Sequence, residues 1–560
     1  MENPGKHYIK RRDFLKLGAA AAGIGLLQAC QPAAPPAPTA APTATAQPTP
    51  VKPAAQVPQV PQLPTAAPTQ APTVAPTKPA GPKKGGTFTM AKTSGITQFD
   101  PLDLFAGNYA HQRGIFNTLV RYDPNLKPIP ELAEKWDFSA DGKQVTFKLR
   151  EGVKFHSGRE FTSDDVKKTV EFAQQDTQAT MRTLYKTIKK VDTPDKYTVG
   201  WGFDTANPGV FDILDTLYII DYETIEDRKN TAIGTGPFKL DKYVPNDSIT
   251  MVANKDYWEE GKPYVDKFII RTIPDLASLA INLESGAVDA IWNLSYVDLA
   301  RFKKDPKYVA DLGAPGALLY DVAINVTKEP FTNKKARQAV GWSIDRQRFV
   351  DTALKGLVQP TCLIWPRHSW AYFPDLEGKI GYDLDKAKSL LKEAGLDGGF
   401  QTEILVSSKR NYGDGDLAQI LQADLKKINI DATISDVDPS TYTSRTNAAD
   451  IVLMIHTYGR ANRDPGTTVT GAKAWYNKKE GNWCEFESDK WDQLRKDMQS
   501  TLDQDKRKAV ARQIQEMALD ECFTIPVAPA QRSWAYPTYV KDFGYNMDNA
   551  PYVSDVWLDK

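Results

Sequence analysis

Residues 31–82 decide most about how this chain is organised. They hold 16 of the chain's 39 prolines, repeat Ala-Pro-Thr, and contain no acidic and no aromatic side chain. Such a composition cannot bury enough apolar surface to offset the entropy of ordering it, so no core forms there. Proline-rich chain favours extended polyproline II at about 3.1 Å per residue, and as a flexible coil the same length averages on the order of 40 Å end to end. In either regime the segment is a tether. It separates a short N-terminal piece from a long stretch with the composition of folded protein.

The N-terminal piece has the layout of an export signal. Lys10, Arg11 and Arg12 precede Phe14 and Leu15, and a small-residue apolar run from Leu17 to Ala29 ends at Cys30. A helix of that length covers about 20 Å, short of the roughly 30 Å hydrocarbon core, so the run reads as a signal h-region and not a membrane span. Arg11-Arg12-Asp13-Phe14-Leu15-Lys16 resembles the twin-arginine export motif, with Lys10 where that motif usually has Ser or Thr; the match fits export of an already folded chain. Leu27-Gln28-Ala29-Cys30 resembles a bacterial lipobox, with Gln28 an unusual choice at its position. That resemblance implies acylation of Cys30 and anchoring at a membrane surface without a spanning helix. The expected division is signal peptide 1–29 and lipidated tether 30–83.

Composition removes several function classes. The 70 basic and 70 acidic side chains cancel, so no global field favours nucleic acid. A mean hydropathy of −0.46 excludes a polytopic membrane protein. Four cysteines cannot form a disulfide scaffold; with Cys30 committed to lipid, Cys362, Cys484 and Cys522 allow one disulfide at most and read as ordinary buried thiols.

From Gly85 onward, short apolar runs alternate with amphipathic helices. Leu276, Leu279, Ala280 and Leu283 share a helical face, with Asp275 to cap it, Gly286 to end it, and a strand at Val288–Trp292. Asp383 and Gly395 bracket a second face of Ala387, Leu390, Leu391 and Ala394. Leu417, Ile420, Leu421, Leu425 and Ile428 form a third, followed by the alternating strand Ile430, Ala432, Ile434. Helix and strand in alternation predict an α/β fold of two or three domains. The sequence has no His-Glu-x-x-His, Gly-x-Ser-x-Gly, Walker loop or Cys-x-x-Cys, and Gly234-Thr235-Gly236 has Lys239 where a dinucleotide fingerprint has its third glycine. The enzyme reading, a surface hydrolase, rests only on chance carboxylate pairs. No catalytic residue, metal site or cofactor is expected.

Gly85-Gly86-Thr87-Phe88, Leu119-Val120-Arg121-Tyr122-Asp123, Pro130-Glu131-Leu132-Ala133-Glu134-Lys135-Trp136 and Phe147 to Gly158 follow one another closely. Thr235-Gly236-Pro237-Phe238, Asn254-Lys255-Asp256-Tyr257-Trp258, Gly286-Ala287-Val288-Asp289, Ala336-Arg337-Gln338-Ala339, Ile344-Asp345-Arg346 and Ala387 to Gly395 continue the series. In this order they resemble the family 5 extracellular solute-binding proteins, the peptide and nickel class serving ABC importers, whose members usually have Asp where Ser157 stands. The resemblance covers essentially everything after the tether. It implies a two-lobed fold like that of the type II periplasmic binding proteins, with an additional domain: lobe I at 84–122, 236–325 and 529–560, the additional domain at 123–235, and lobe II at 326–528. It further implies a monomeric, exported receptor at the outer face of the cell membrane, in the periplasm or at the cell surface. Such a receptor closes on a small solute and hands it to an ABC permease with its ATPase subunits. The solute is expected to be oligopeptide-sized, with an oligosaccharide or a metal chelate as the alternatives.

Peptide-binding members carry a stretch like Trp-x-x-Asp-Tyr-x-Asp-Pro, whose first Asp pairs with the ligand's ammonium group. The counterpart here is Tyr458 to Pro465, with Ala461 at the anchor position and Arg460 and Arg463 beside it. Arginines suit a carboxylate or phosphate, so weaker dependence on a positively charged ligand end is expected. Tyr109, Trp292, Trp365, Tyr458, Arg460 and Arg463 are the expected ligand-binding residues. At least half of the aromatics at 365–372 and 475–483 are expected in the core of the second lobe instead.

Overall fold

The computed structural model describes residues 81–560 apart from 97, 105–107, 124–126, 177–178, 180, 314–317, 459–463, 472 and 546–550, and gives no side-chain description for Tyr458 and Tyr545. Cys30 and the tether lie outside the described residues. Within the compact unit Pro79–Lys560, two sheets carry the architecture.

The seven-stranded sheet draws on three separated stretches: Thr87–Lys92; then Phe238–Val244, Ser248–Ala253, Lys267–Thr272, Ala290–Trp292 and Tyr308–Leu312; and finally Ser533–Pro537. The five-stranded sheet contains Leu319–Ile324, Phe400–Val406, Ile430–Asp436, Leu453–Tyr458 and Thr524–Pro529. A four-stranded antiparallel sheet is formed by Ala133–Phe138, Gln144–Leu149, Ile188–Asp195 and Thr198–Phe203.

Leu319–Ile324 departs from the expected lobe I stretch ending at 325. It pairs antiparallel with Leu453–Tyr458 on one side and Thr524–Pro529 on the other, inside the five-stranded sheet. All six of its residues are buried, so the strand has no hydrophobic alternation to show which sheet it joins.

Each large sheet has a core on both faces. Leu279, Leu283, Leu299 and Phe302 cover one face of the seven-stranded sheet. On its other face Phe88, Met90, Phe238 and Phe268 join a cluster continuous with Phe147, Val166, Trp201 and Ile213, so the four-stranded sheet shares a core with the first lobe. In the second lobe, Val322, Val340, Leu421 and Ile455 fill one face, and Leu405, Met454, Trp365, Trp475 and Trp491 the other.

The helix signals work as their chemistry requires. The Asp275 carboxylate accepts the Ser278 N–H at 2.8 Å and starts Leu276–Glu284, and Gly286 follows its end at φ +73°. Asp383 accepts the Lys386 N–H at 2.8 Å and starts Leu384–Glu393. The cap of Ser163–Gln175 is Thr162 and not Ser163, because Asp165, three residues on, accepts the Thr162 N–H at 2.9 Å in a capping box. Ser163 instead donates to the Asp195 carbonyl at 2.8 Å.

Several of the sequence motifs interlock as scaffold. Asn117 Oδ1 accepts from Thr235 Oγ1 at 3.0 Å and from the Trp258 indole at 3.2 Å, and its amide donates to Glu131 at 2.9 Å. The Gly236 carbonyl accepts from Asn254 at 3.0 Å and lies 3.0 Å from His156 Nε2. A Cβ at Gly234 would stand 2.1 Å from the Ile115 carbonyl oxygen, which is why glycine sits there. Ser157 donates to Asp221 at 2.8 Å, a bond that Asp at that position could not make without like-charge repulsion.

Candidate functional site: the cleft at the paired connectors

The ends of the strands define the site. At one edge of the seven-stranded sheet lie the ends of Thr87–Lys92, Ala290–Trp292 and Tyr308–Leu312 and the start of Ser533–Pro537, as the registers Met90–Ala290, Trp292–Trp534 and Leu312–Ser533 require. At one edge of the five-stranded sheet, Leu319 stands between Tyr458 and Pro529. The chain crosses between these edges twice, after Leu312 and after Pro529. The two connectors are hydrogen-bonded side by side: the Gly313 N–H donates to the Arg532 carbonyl at 2.6 Å, Gln531 Nε2 to the Gly313 carbonyl at 2.6 Å, and the Ala530 N–H to the Leu318 carbonyl at 2.9 Å.

Side chains from both lobes gather at these connectors. From the first lobe, Tyr296 donates to the Gln531 carbonyl at 2.9 Å and stacks on Tyr412 of the second, with ring centres 5.4 Å apart. Tyr320 donates to the Tyr412 carbonyl. The Arg532 guanidinium lies 5.6 Å from the centre of the Trp292 ring and 3.4 Å from Asn293 Oδ1. Burial lowers the pKa of Arg532, while Tyr320, Tyr296, Tyr109 and Asp414 act on it in the opposite sense. Asp414, buried at the start of Asp414–Lys426, accepts from Thr457 and from Asn411, and burial pushes it up to about 6. On the other face of the second sheet, burial raises the pKa of Asp321, and its carboxylate has no hydrogen-bond partner among the described residues.

Of the residues expected to meet a ligand, Trp292 is 6% exposed at the end of its strand, and its indole N–H has no hydrogen-bond partner among the described residues. Tyr109 is half-buried at the start of Tyr109–Ile115 and is within electrostatic reach of Arg532. Trp365 is buried in the second lobe's core and donates to the Pro465 carbonyl at 3.0 Å. It also lines an apolar groove of about 230 Å³ with Leu319, Val358, Arg367, Pro529 and Gln531, against the connectors. The backbone of Tyr458 ends its strand opposite Leu319, whereas Arg460, Ala461 and Arg463 lie outside the described residues. Asp464, just beyond them, pairs with Arg507 at 2.5 Å, and its N–H donates to Asp212 at 3.2 Å.

Sequence reasoning missed Arg532, Asn293, Tyr296, Tyr412 and Asp414. The one available signal for Arg532 was a lone charge three residues after the end of the largely apolar strand Thr524–Pro529. Among the described residues there is no group of three potential metal ligands, and no helix is long and apolar enough to cross a membrane. Cys362, Cys484 and Cys522 are buried free thiols.

Residues 127–480 match the model for the bacterial extracellular solute-binding proteins, family 5. The chain belongs to that family. It resembles proteins that differ in the ligand they are named for. It is 30% identical to di/tripeptide-binding protein 1 of Pseudomonas aeruginosa over 78% of this chain and 87% of that one. It is 27% identical to heme-binding protein A of Haemophilus influenzae over 79% and 87%. Among solved structures, the periplasmic binding protein DppA of Helicobacter pylori in complex with the peptide STSA superposes with a TM-score of 0.75 at 26% identity, over 85% of this family 5 chain and 99% of that one. The two-lobed α/β fold is the one those structures share, and the family is one of solute-binding receptors.

Proposed function

We propose that the chain is an extracytoplasmic receptor that binds an oligopeptide-sized solute between its lobes and delivers it to an ABC permease and its ATPase subunits. The observation that carries this reading is the junction of the lobes: paired connectors join them, and Trp292, Asn293, Tyr296, Tyr320, Tyr412 and Arg532 gather there from both sides. Pockets between domains are where small ligands bind, and two-segment connectors allow hinge closure. The di/tripeptide and STSA-binding relatives support a peptide-sized solute.

Tyr109, Trp292, Trp365, Tyr458, Arg460 and Arg463 are the proposed ligand-facing residues, and Cys30 the proposed lipid anchor at the outer face of the membrane. Incubation with peptide and oligosaccharide pools tests the reading. A melting-temperature rise with the peptide pool, every peptide being recovered uncleaved, supports it. Cleavage products would indicate a hydrolase, and a rise with the sugars alone would move the solute to the oligosaccharide class. Cys30→Ala is expected to release the protein from washed membranes; retention would remove the lipid anchor.

A further inference from the structure

We propose that Arg532 and the Trp292 indole N–H, with Asn293 orienting the guanidinium, form a carboxylate-binding subsite in the cleft. The inference rests on the receptor reading and names the chemistry of one end of the solute.

Three observations carry it. First, Arg532 sits on a connector between the lobes, where a solute held between them would pass. Its side-chain neighbours among the described residues are Asn293 Oδ1 at 3.4 Å and the Trp292 ring at 5.6 Å, and no carboxylate is within ion-pair distance. Asp414, the carboxylate acting on it from the second lobe, is engaged by Thr457 and Asn411. Second, Trp292 is 6% exposed, and its indole N–H is a second buried donor without a partner among the described residues. The partly buried guanidinium has only a neutral amide oxygen as acceptor and the buried indole N–H has none among the described residues; a carboxylate placed between them would supply both, accepting a charge-assisted bond from arginine. Third, Asn293 is held at φ +65° with its N–H on the Ser533 carbonyl at 2.6 Å, which fixes the acceptor that aims the guanidinium. Tyr109, Tyr296 and Tyr320 add no positive charge to compete with Arg532.

The test uses the full chain, with trialanine and its C-terminal amide titrated by calorimetry, and citrate compared with chloride at equal ionic strength by melting temperature. The expected preference for the carboxylate form is about thirtyfold, the range of a charge-assisted hydrogen bond, and Arg532→Gln is expected to bring it within about threefold. Trp292→Phe keeps a ring and loses the N–H, and is expected to weaken the carboxylate form alone, by about fivefold. It reads the same subsite if Arg532→Gln does not fold. Equal binding of the two forms, or a preference untouched by both substitutions, overturns the subsite and leaves the receptor reading standing. If neither peptide binds, the peptide reading falls and citrate decides the subsite. A melting-temperature rise over chloride that Arg532→Gln abolishes supports it, and no such rise overturns it.

Discussion

At the scale of single residues, some buried polar groups are satisfied by the protein's own backbone. His156 is one: burial lowers its pKa to about 4, although its ring lies against the Gly236 and Ala232 carbonyls. Burial also holds His111 and His456 well below the ordinary histidine value. Between about pH 6.5 and pH 4 the unfolded chain therefore binds protons that the folded chain refuses, and stability falls as pH falls, by roughly 1.4 kcal/mol per pH unit for each such histidine. Asp321 and Asp414, with raised pKa values, act in the opposite sense, so the readout is a difference between variants. Urea unfolding at pH 7 and pH 5 is expected to show a pH dependence smaller by about one proton in His156→Gln than in the wild type; identical slopes would contradict the assignment. Among the aromatics, Trp292 and Trp365 were both expected to meet a ligand, and both are buried, Trp292 at the end of its strand and Trp365 in the second lobe's core against the groove beside the connectors. Arg532 was not legible, because its neighbours come from chain segments brought together only by the pairing of the two connectors.

Elements were the most legible scale. Helices and their stops follow from local chemistry, and where Asp275 or Asp383 precedes an amphipathic face the cap forms as its spacing predicts. Asp383→Ala removes an acceptor from the Lys386 N–H at 2.8 Å and is expected to cost about 1 kcal/mol in urea unfolding without changing solute affinity. An unchanged midpoint would show that water replaces the cap at no cost. The strand Leu319–Ile324 pairs within the five-stranded sheet, which no local pattern marks, because a strand buried on both faces announces burial and nothing about its partners. Thr162 caps Ser163–Gln175 because its spacing to Asp165 offers the backbone two bonds in a capping box.

For the whole molecule, the motifs that gave the family away are largely scaffold: Glu131, Thr235 and Trp258 meet on Asn117, and Asn254 bonds the Gly236 carbonyl. That is why the fold was readable along nearly the whole chain while the solute was not. Specificity is written in residues such as Arg532 and Trp292, which no local pattern marks. The central claim is that the two lobes hold one intact solute between them, and native mass spectrometry of the full chain mixed with a peptide pool tests it most directly. One adduct of intact peptide mass per chain is predicted, with the remaining pool uncleaved; a chain that carries no adduct, or a pool of shortened peptides, would contradict it.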